Sequence, residues 1–266
     1  MRGTAQSPDG TKIAYETQGD GPPVVLLHGS VLSRAVWRGT GYTAALAQHF
    51  RVVAVDLRGH GRSDKPVTAD AYRRELLAAD VLAVLDQLGM PSAHVVGYSL
   101  GGSVGFTLLV AAPDRVTSLV SLAGPFAAPP GSVAEFVAPD YAEALAQDGM
   151  DGLVSAWERA RGEPFDGQTR LALRANDPDA MRALLEAVDR DAGVLPWRLP
   201  GMRVPALLVA GDRDVGGLRS MRQAAGLMPN ARLEVLPGRD HGSLLRPSGD
   251  VLGLLVPFLL ATRSPS

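Results

Sequence analysis

Gly97-Tyr98-Ser99-Leu100-Gly101 is the stretch that decides the fold. It fits G-x-S-x-G, and its surroundings give the match meaning. An apolar run over residues 93–97 precedes it and reads as a buried strand. A helical pattern over about residues 100–112 follows, closed by Pro113. A serine on a sharp strand-to-helix turn takes a strained backbone conformation, and small flanking residues make room for it. Its hydroxyl then stands at the C-terminal edge of the sheet, over a helix N-terminus. Ser99 is thus the candidate nucleophile, and a Gly-rich structural turn is the bland alternative.

Outward from this turn the chain alternates strand and helix. Residues 24–27 and 52–55 are short β-branched runs closed by turn residues. Leu76, Leu77, Val81, Val84, Leu85 and Leu88 recur at helical spacing and predict a helix over 72–88, with Asp70 as N-cap and Gly89 as stop. A strand at 116–122 comes next. The alternation breaks at Gly124, and residues 125–200 show no strand run but eight prolines with amphipathic segments between them at 141–147, 153–161, 169–175 and 179–188. It resumes with a strand at 206–210, a helix at 218–227, a strand at 232–236 and a terminal helix at 250–260. This pattern predicts an α/β fold with a mostly parallel sheet flanked by helices. The expected organisation is a core over 1–124 and 201–266 with an inserted helical cap over 125–200.

A serine hydroxyl needs a base within hydrogen-bond reach, and the base needs a carboxylate to orient it. Gly211-Asp212-Arg213-Asp214 follows the strand at 206–210, and His241 lies in a loop after the strand at 232–236. Both loops sit at the sheet edge where Ser99 must lie. The order Ser99, Asp214, His241 is the one this fold demands, and among His28, His49, His60, His94 and His241 only the last follows the acid. Asp212 reads as a turn-capping residue and Asp240 as solvated. The oxyanion donors expected are the backbone N–H groups of Leu100, just after the nucleophile, and of Ser30, in the turn His28-Gly29-Ser30 after the first core strand. On this reading His28 packs its own loop.

Composition removes other chemistries. The 266 residues carry 26 Lys+Arg against 28 Asp+Glu, a net charge of −2, which gives no electrostatic case for a nucleic-acid partner. With no cysteine there is no disulfide, cysteine nucleophile or Cys-ligated metal. No His/Asp/Glu cluster suggests a metal, and Gly101-Gly102 and Gly216-Gly217 lack dinucleotide-binding spacing, so no cofactor is expected. The N-terminus lacks an apolar signal-peptide region and no apolar run is long enough to span a membrane, which predicts a cytoplasmic protein without a membrane partner.

Together these residues resemble the α/β-hydrolase superfamily over nearly the whole chain. Asp56-Leu57-Arg58-Gly59-His60-Gly61-Arg62-Ser63-Asp64 looks like the family's turn after its third core strand. His28-Gly29-Ser30-Val31-Leu32-Ser33, with Trp37 beyond, is similar to the oxyanion loop of small bacterial esterases, enol-lactonases and cofactor-free perhydrolases. The resemblance implies an eight-stranded, mostly parallel sheet and a serine hydrolase acting on a small carboxylic ester or lactone. Epoxide hydrolases and haloalkane dehalogenases of this fold use an aspartate where this chain has Ser99. C–C bond hydrolysis, a cyclase-like biosynthetic step, or a receptor-like protein that keeps the hydrolase shell are the alternatives, since fold does not fix chemistry. Trp37 either lines the acyl pocket or packs its loop, and with Tyr98, Phe126 and Trp157 it completes the pocket candidates. Most cap apolar residues, among them Phe136, Tyr141, Leu145, Phe165, Met181 and Leu184, are expected to pack cap against core.

Overall fold

Strands β1 (Arg2–Gln6), β2 (Lys12–Gln18), β3 (Pro23–Leu27), β4 (Arg51–Val55), β5 (Ala93–Tyr98), β6 (Val116–Leu122), β7 (Ala206–Gly211) and β8 (Ala231–Leu236) form one sheet. The strand order is β1-β2-β4-β3-β5-β6-β7-β8. The computed structural model describes residues 1–262. From β4 across to β8 every pairing is parallel, and only β1 and β2 run antiparallel to their neighbours. Parallel strands are buried on both faces, which is why β3 to β7 read as mostly apolar runs, with His94, Ser118 and Ser121 as buried polar exceptions. Their side chains alternate between two cores. Val25, Leu27, Val53, Val95, Leu119 and Leu208 face one, while Val24, Leu26, Val52, Val96, Val120 and Leu207 face the other.

Helices α1 (Ala35–Gly39), α2 (Tyr42–Leu46) and α10 (Ser248–Ala261) cover the second core, through Trp37, Tyr42, Leu46, Val251, Leu255 and Leu259. Helices α3 (Arg74–Gln87), α4 (Leu100–Ala111) and α9 (Val215–Leu227) cover the first. Between β6 and β7 lie α5 (Ser132–Phe136), α6 (Tyr141–Arg161), α7 (Gly167–Arg174) and α8 (Pro178–Arg190). Tyr141, Leu145, Met181 and Leu184 from these helices join the first core. No strand is found between β6 and β7 among the described residues.

Two local readings differ from the structure. The helix predicted over 72–88 begins at Arg74, because residues Ala69–Tyr72 form a separate 3-10 turn, and Asp70 lies inside that turn and does not cap α3. Gly89 does end the helix, with φ 65°. The two helices expected at 141–147 and 153–161 are both present within the span α6, separated at Asp148–Gly149, where both residues leave helical geometry and Gly149 takes φ 58°. The β1–β2 hairpin, absent from the strand pattern read above, turns through Ser7-Pro8-Asp9-Gly10, with Ser7 N–H bonded to Thr11 O at 2.8 Å.

The turn after β4 is tied to α3 by a buried ion pair. Arg58, fully buried, sends Nε to Asp80 Oδ2 at 2.7 Å and Nη2 to Asp80 Oδ1 at 2.6 Å. This bidentate geometry matches the guanidinium fork to a carboxylate. No helix among the described residues is long and apolar enough to cross a membrane.

Candidate active site

Ser99 sits between β5 and α4 with φ 53° and ψ −118°, one of three non-glycine residues with positive φ among those described. The conformation costs roughly 1–3 kcal/mol and persists only where the surroundings impose it. Here they do. Ser99 N–H donates to Leu122 O at 2.9 Å, and Ser99 O accepts from Gly102 N–H at 2.9 Å. The flanking glycines are required by crowding: a Cβ on Gly97 would overlap the Gly101 backbone, and one on Gly101 would overlap the Leu27 carbonyl. The strand-turn-helix therefore closes so tightly that only glycine fits on either side.

His241 lies on the loop after β8. Its Nε2 is 2.9 Å from Ser99 Oγ and its Nδ1 is 2.9 Å from Asp214 Oδ2. The fold thus brings together all three residues expected from the sequence. Their side chains are sheltered, with His241 16% and Asp214 10% exposed. Asp214 is also the N-cap of α9, accepting from Gly217 N–H at 3.1 Å, so the helix terminus holds the carboxylate that faces the imidazole. Asp212 Oδ1 accepts Gly238 N–H at 2.7 Å and pins the His241 loop to the end of β7. Asp240 is exposed yet bonded to Ser243, whose hydroxyl holds the Asp240 carboxyl below its usual range. Tyr98 donates its hydroxyl to His241 O at 2.7 Å and stands 5.5 Å from the imidazole ring; burial pushes its phenol up.

The loop after β3 passes over the serine. A Cβ on Gly29 would come within 3.1 Å of the Ser99 Cβ. Among the described residues the backbone N–H groups of Ser30 and Leu100 donate to no protein acceptor. Val31, next in the loop, has φ 54° and gives its N–H to His60 Nε2 at 3.2 Å. His28 and His60 are fully buried and serve the backbone. His28 Nε2 accepts Leu57 N–H at 3.1 Å, and His60 Nδ1 faces Arg58 O at 2.9 Å. Burial holds the His28 imidazole down at about 4 and the His60 imidazole down at about 3, so both are neutral at pH 7. His94 is buried against Ser118 Oγ at 2.7 Å.

Two of the pocket candidates are displaced. Trp37 is fully buried in the second core, edge-on to Tyr42 at 5.3 Å, because α1 packs its apolar face onto the sheet. Phe126 is 1% exposed and packs on Phe106 at 6.1 Å, inside the first core. Besides Tyr98, the imidazole meets Phe136 of α5, 4.6 Å from the His241 ring and 47% exposed. Trp157 touches it at 5.5 Å, and Phe165 continues the row at 5.2 Å. Nothing in the periodicity of the short α5 distinguishes Phe136 from other cap apolars. No group of His, Cys, Asp or Glu among the described residues could hold a metal ion.

Comparison with known proteins fits this arrangement. A family model described as the alpha/beta hydrolase fold matches residues 22–178. The enol-lactonase from Burkholderia xenovorans LB400 superposes with a TM-score of 0.82 at 26% identity, covering 97% of this chain and 100% of that one. A Bacillus subtilis (strain 168) protein provisionally named 2-succinyl-6-hydroxy-2,4-cyclohexadiene-1-carboxylate synthase is 26% identical over 88% of this chain and 89% of its own length. Epoxide hydrolase B of Mycobacterium tuberculosis (strain ATCC 25618 / H37Rv) is 44% identical over 107 residues, 40% of this chain and 30% of that protein. By sequence model, sheet order and strand-turn-helix geometry together, the chain belongs to the α/β-hydrolase fold family of enzymes.

Proposed function

We propose that the protein is a serine hydrolase that cleaves a small carboxylic ester or lactone through an acyl-enzyme on Ser99. The observation that carries this reading is the pair of 2.9 Å contacts joining Ser99 Oγ, His241 and Asp214. His241 Nε2 takes the Ser99 proton as Oγ attacks the acyl carbon. The electron pair of the carbonyl moves to its oxygen, where the N–H groups of Ser30 and Leu100 hold it, each worth about 2.7–4 kcal/mol in the transition state. Asp214 keeps Nδ1 protonated and stabilises the imidazolium. The tetrahedral species collapses, the acyl C–O bond breaks, and His241 passes its proton to the leaving oxygen. Water, deprotonated by His241, then attacks the acyl-enzyme, and Ser99 leaves with that proton. Tyr98 positions His241 through its main-chain carbonyl.

The likeness to an enol-lactonase over the whole chain supports the substrate class. Ser99 sets the chain apart from the aspartate nucleophile that its resemblance to epoxide hydrolases would imply, so epoxide opening through an alkyl-aspartate is not the chemistry proposed. A second reading, C–C bond cleavage or a cyclase-like step on the same triad, is favoured by the full-length likeness to the Bacillus synthase. Turnover of p-nitrophenyl butyrate by wild type and Ser99→Ala tests the first reading. We expect turnover in the wild type and its loss in the variant. Full activity in the variant overturns the assignment of Ser99.

A further inference from the structure

A heavily charged cleft lies away from the triad. A cavity of about 230 Å³ opens beside β2 and β4, and neither Ser99, Asp214 nor His241 lines it. Its charged residues are Arg2, Arg34, Arg38 and Arg62 against Glu16 and Asp56, an excess of two positive charges. Asp56, 1% exposed, is already engaged at both oxygens: Oδ1 accepts Arg34 N–H at 2.8 Å, and Oδ2 accepts Arg62 N–H at 2.9 Å together with the Arg34 guanidinium. Glu16 stands 3.5 Å from Arg2 Nε, 3.7 Å from Arg34 Nε and 3.9 Å from Arg38 Nη1. All three separations exceed hydrogen-bond length. Arg2, Arg34 and Arg38 thus share the Glu16 carboxylate in long ion pairs, three guanidiniums on one carboxylate, and the Arg62 side chain makes no ion pair among the described residues.

Arg34 makes the cluster more than a solvated face. Its side chain is only 12% exposed and pairs with both Asp56 and Glu16, while the charges of Arg62 and Arg2 oppose its own. With both carboxylates of the cleft already engaged, two positive charges remain uncompensated, and the planar guanidinium fork selects oxyanions that present several acceptors at once. A monocarboxylate neutralises one charge; a tetrahedral dianion neutralises the excess and offers more oxygens than the cluster's free forks need. We propose that this cleft binds a small tetrahedral dianion, either inorganic phosphate or the phosphoryl group of a small organic phosphate. The site touches the oxyanion loop, since Arg34 lies four residues beyond Ser30, and Arg62 belongs to the turn whose His60 accepts Val31 N–H. The inference stands on the cleft alone and does not depend on the acyl-enzyme reading.

The test is calorimetric titration of the full chain with inorganic phosphate and with phenyl phosphate, using acetate and chloride at matched ionic strength as controls. Saturable binding of either phosphate is expected, weakened about tenfold in Arg38→Gln/Arg62→Gln, with the controls silent. Binding of inorganic phosphate alone assigns the free anion; binding of both assigns the phosphoryl group. Far-ultraviolet circular dichroism and a cooperative thermal transition check that the variant is folded. The single, outward-facing Arg38→Glu serves if the double variant fails to fold, and it too must weaken binding. Heats no larger than those of acetate, or unchanged affinity in a folded variant, overturn the proposal.

Discussion

Asn176, on the link between α7 and α8, donates its side-chain amide to the carbonyl of Val31 at 2.8 Å. The same amide reaches Ala172 O at 3.1 Å and Leu173 O at 3.0 Å, closing the end of α7. Val31 is β-branched and carries φ 54°, a conformation such residues avoid. Its peptide groups are pinned from both sides, by His60 from the turn after β4 and by Asn176 from the link between α7 and α8. The helices between β6 and β7 thus hold the loop that carries Ser30.

Removing that tie separates loop geometry from substrate binding. Asn176→Ala is expected to lower kcat on p-nitrophenyl butyrate about tenfold, a fraction of the roughly 10²–10³ lost when an oxyanion donor is deleted outright, with KM within about twofold. Steady-state kinetics checks this. Unchanged kcat with a lower melting temperature would leave Asn176 as a helix cap only.

Phe136 gives a specificity prediction. It is half exposed, so Phe136→Ala should change stability by less than about 1 kcal/mol. Its edge-on contact with His241 places it where a leaving group would pass. An aromatic pair is worth about 0.5–1.5 kcal/mol, so kcat/KM for a phenyl ester should fall about two- to tenfold relative to the matching ethyl ester. Equal losses on both esters would contradict this role.

The sheet and the site were legible to different degrees. β3 to β7 announce themselves because strands buried on both faces are mostly apolar, and the tight turn at Ser99 demands its glycines. The hairpin β1–β2 escapes because it is antiparallel and one-sided, with Arg2, Thr4, Lys12 and Glu16 facing outward between few apolar residues. Asp214 and His241 follow from chain order, but their meeting depends on the α9 cap and on Asp212, which are tertiary facts. Trp37 and Phe126 show where sequence reasoning fails. An aromatic near a functional loop reads the same whether it faces a pocket or a core, and only packing sent both into the core and put Phe136 over the imidazole.

Two buried histidines predict acid sensitivity. Burial lowers His28 to about 4 and His60 to about 3 in the folded chain, against about 6.5 when unfolded. Between those values the unfolded chain binds protons the folded one refuses. Their contribution is therefore fully present above about pH 6.5 and is lost as pH falls towards about 4, at roughly 1.4 kcal/mol per pH unit for each histidine. Urea midpoints measured from pH 7.5 to 4.5 should decline over this window, and more gently in His60→Asn. Equal slopes in both proteins would contradict the assignment.

The central claim is that Ser99 becomes acylated. Incubation with the organophosphate diethyl p-nitrophenyl phosphate, followed by peptide mass spectrometry, tests it most directly. Stoichiometric release of p-nitrophenolate and a diethylphosphoryl adduct on the peptide at Ser99 are expected, with no adduct in Ser99→Ala and strongly slowed labelling in His241→Ala. An adduct on another residue, or none in a folded and otherwise active wild type, would contradict it.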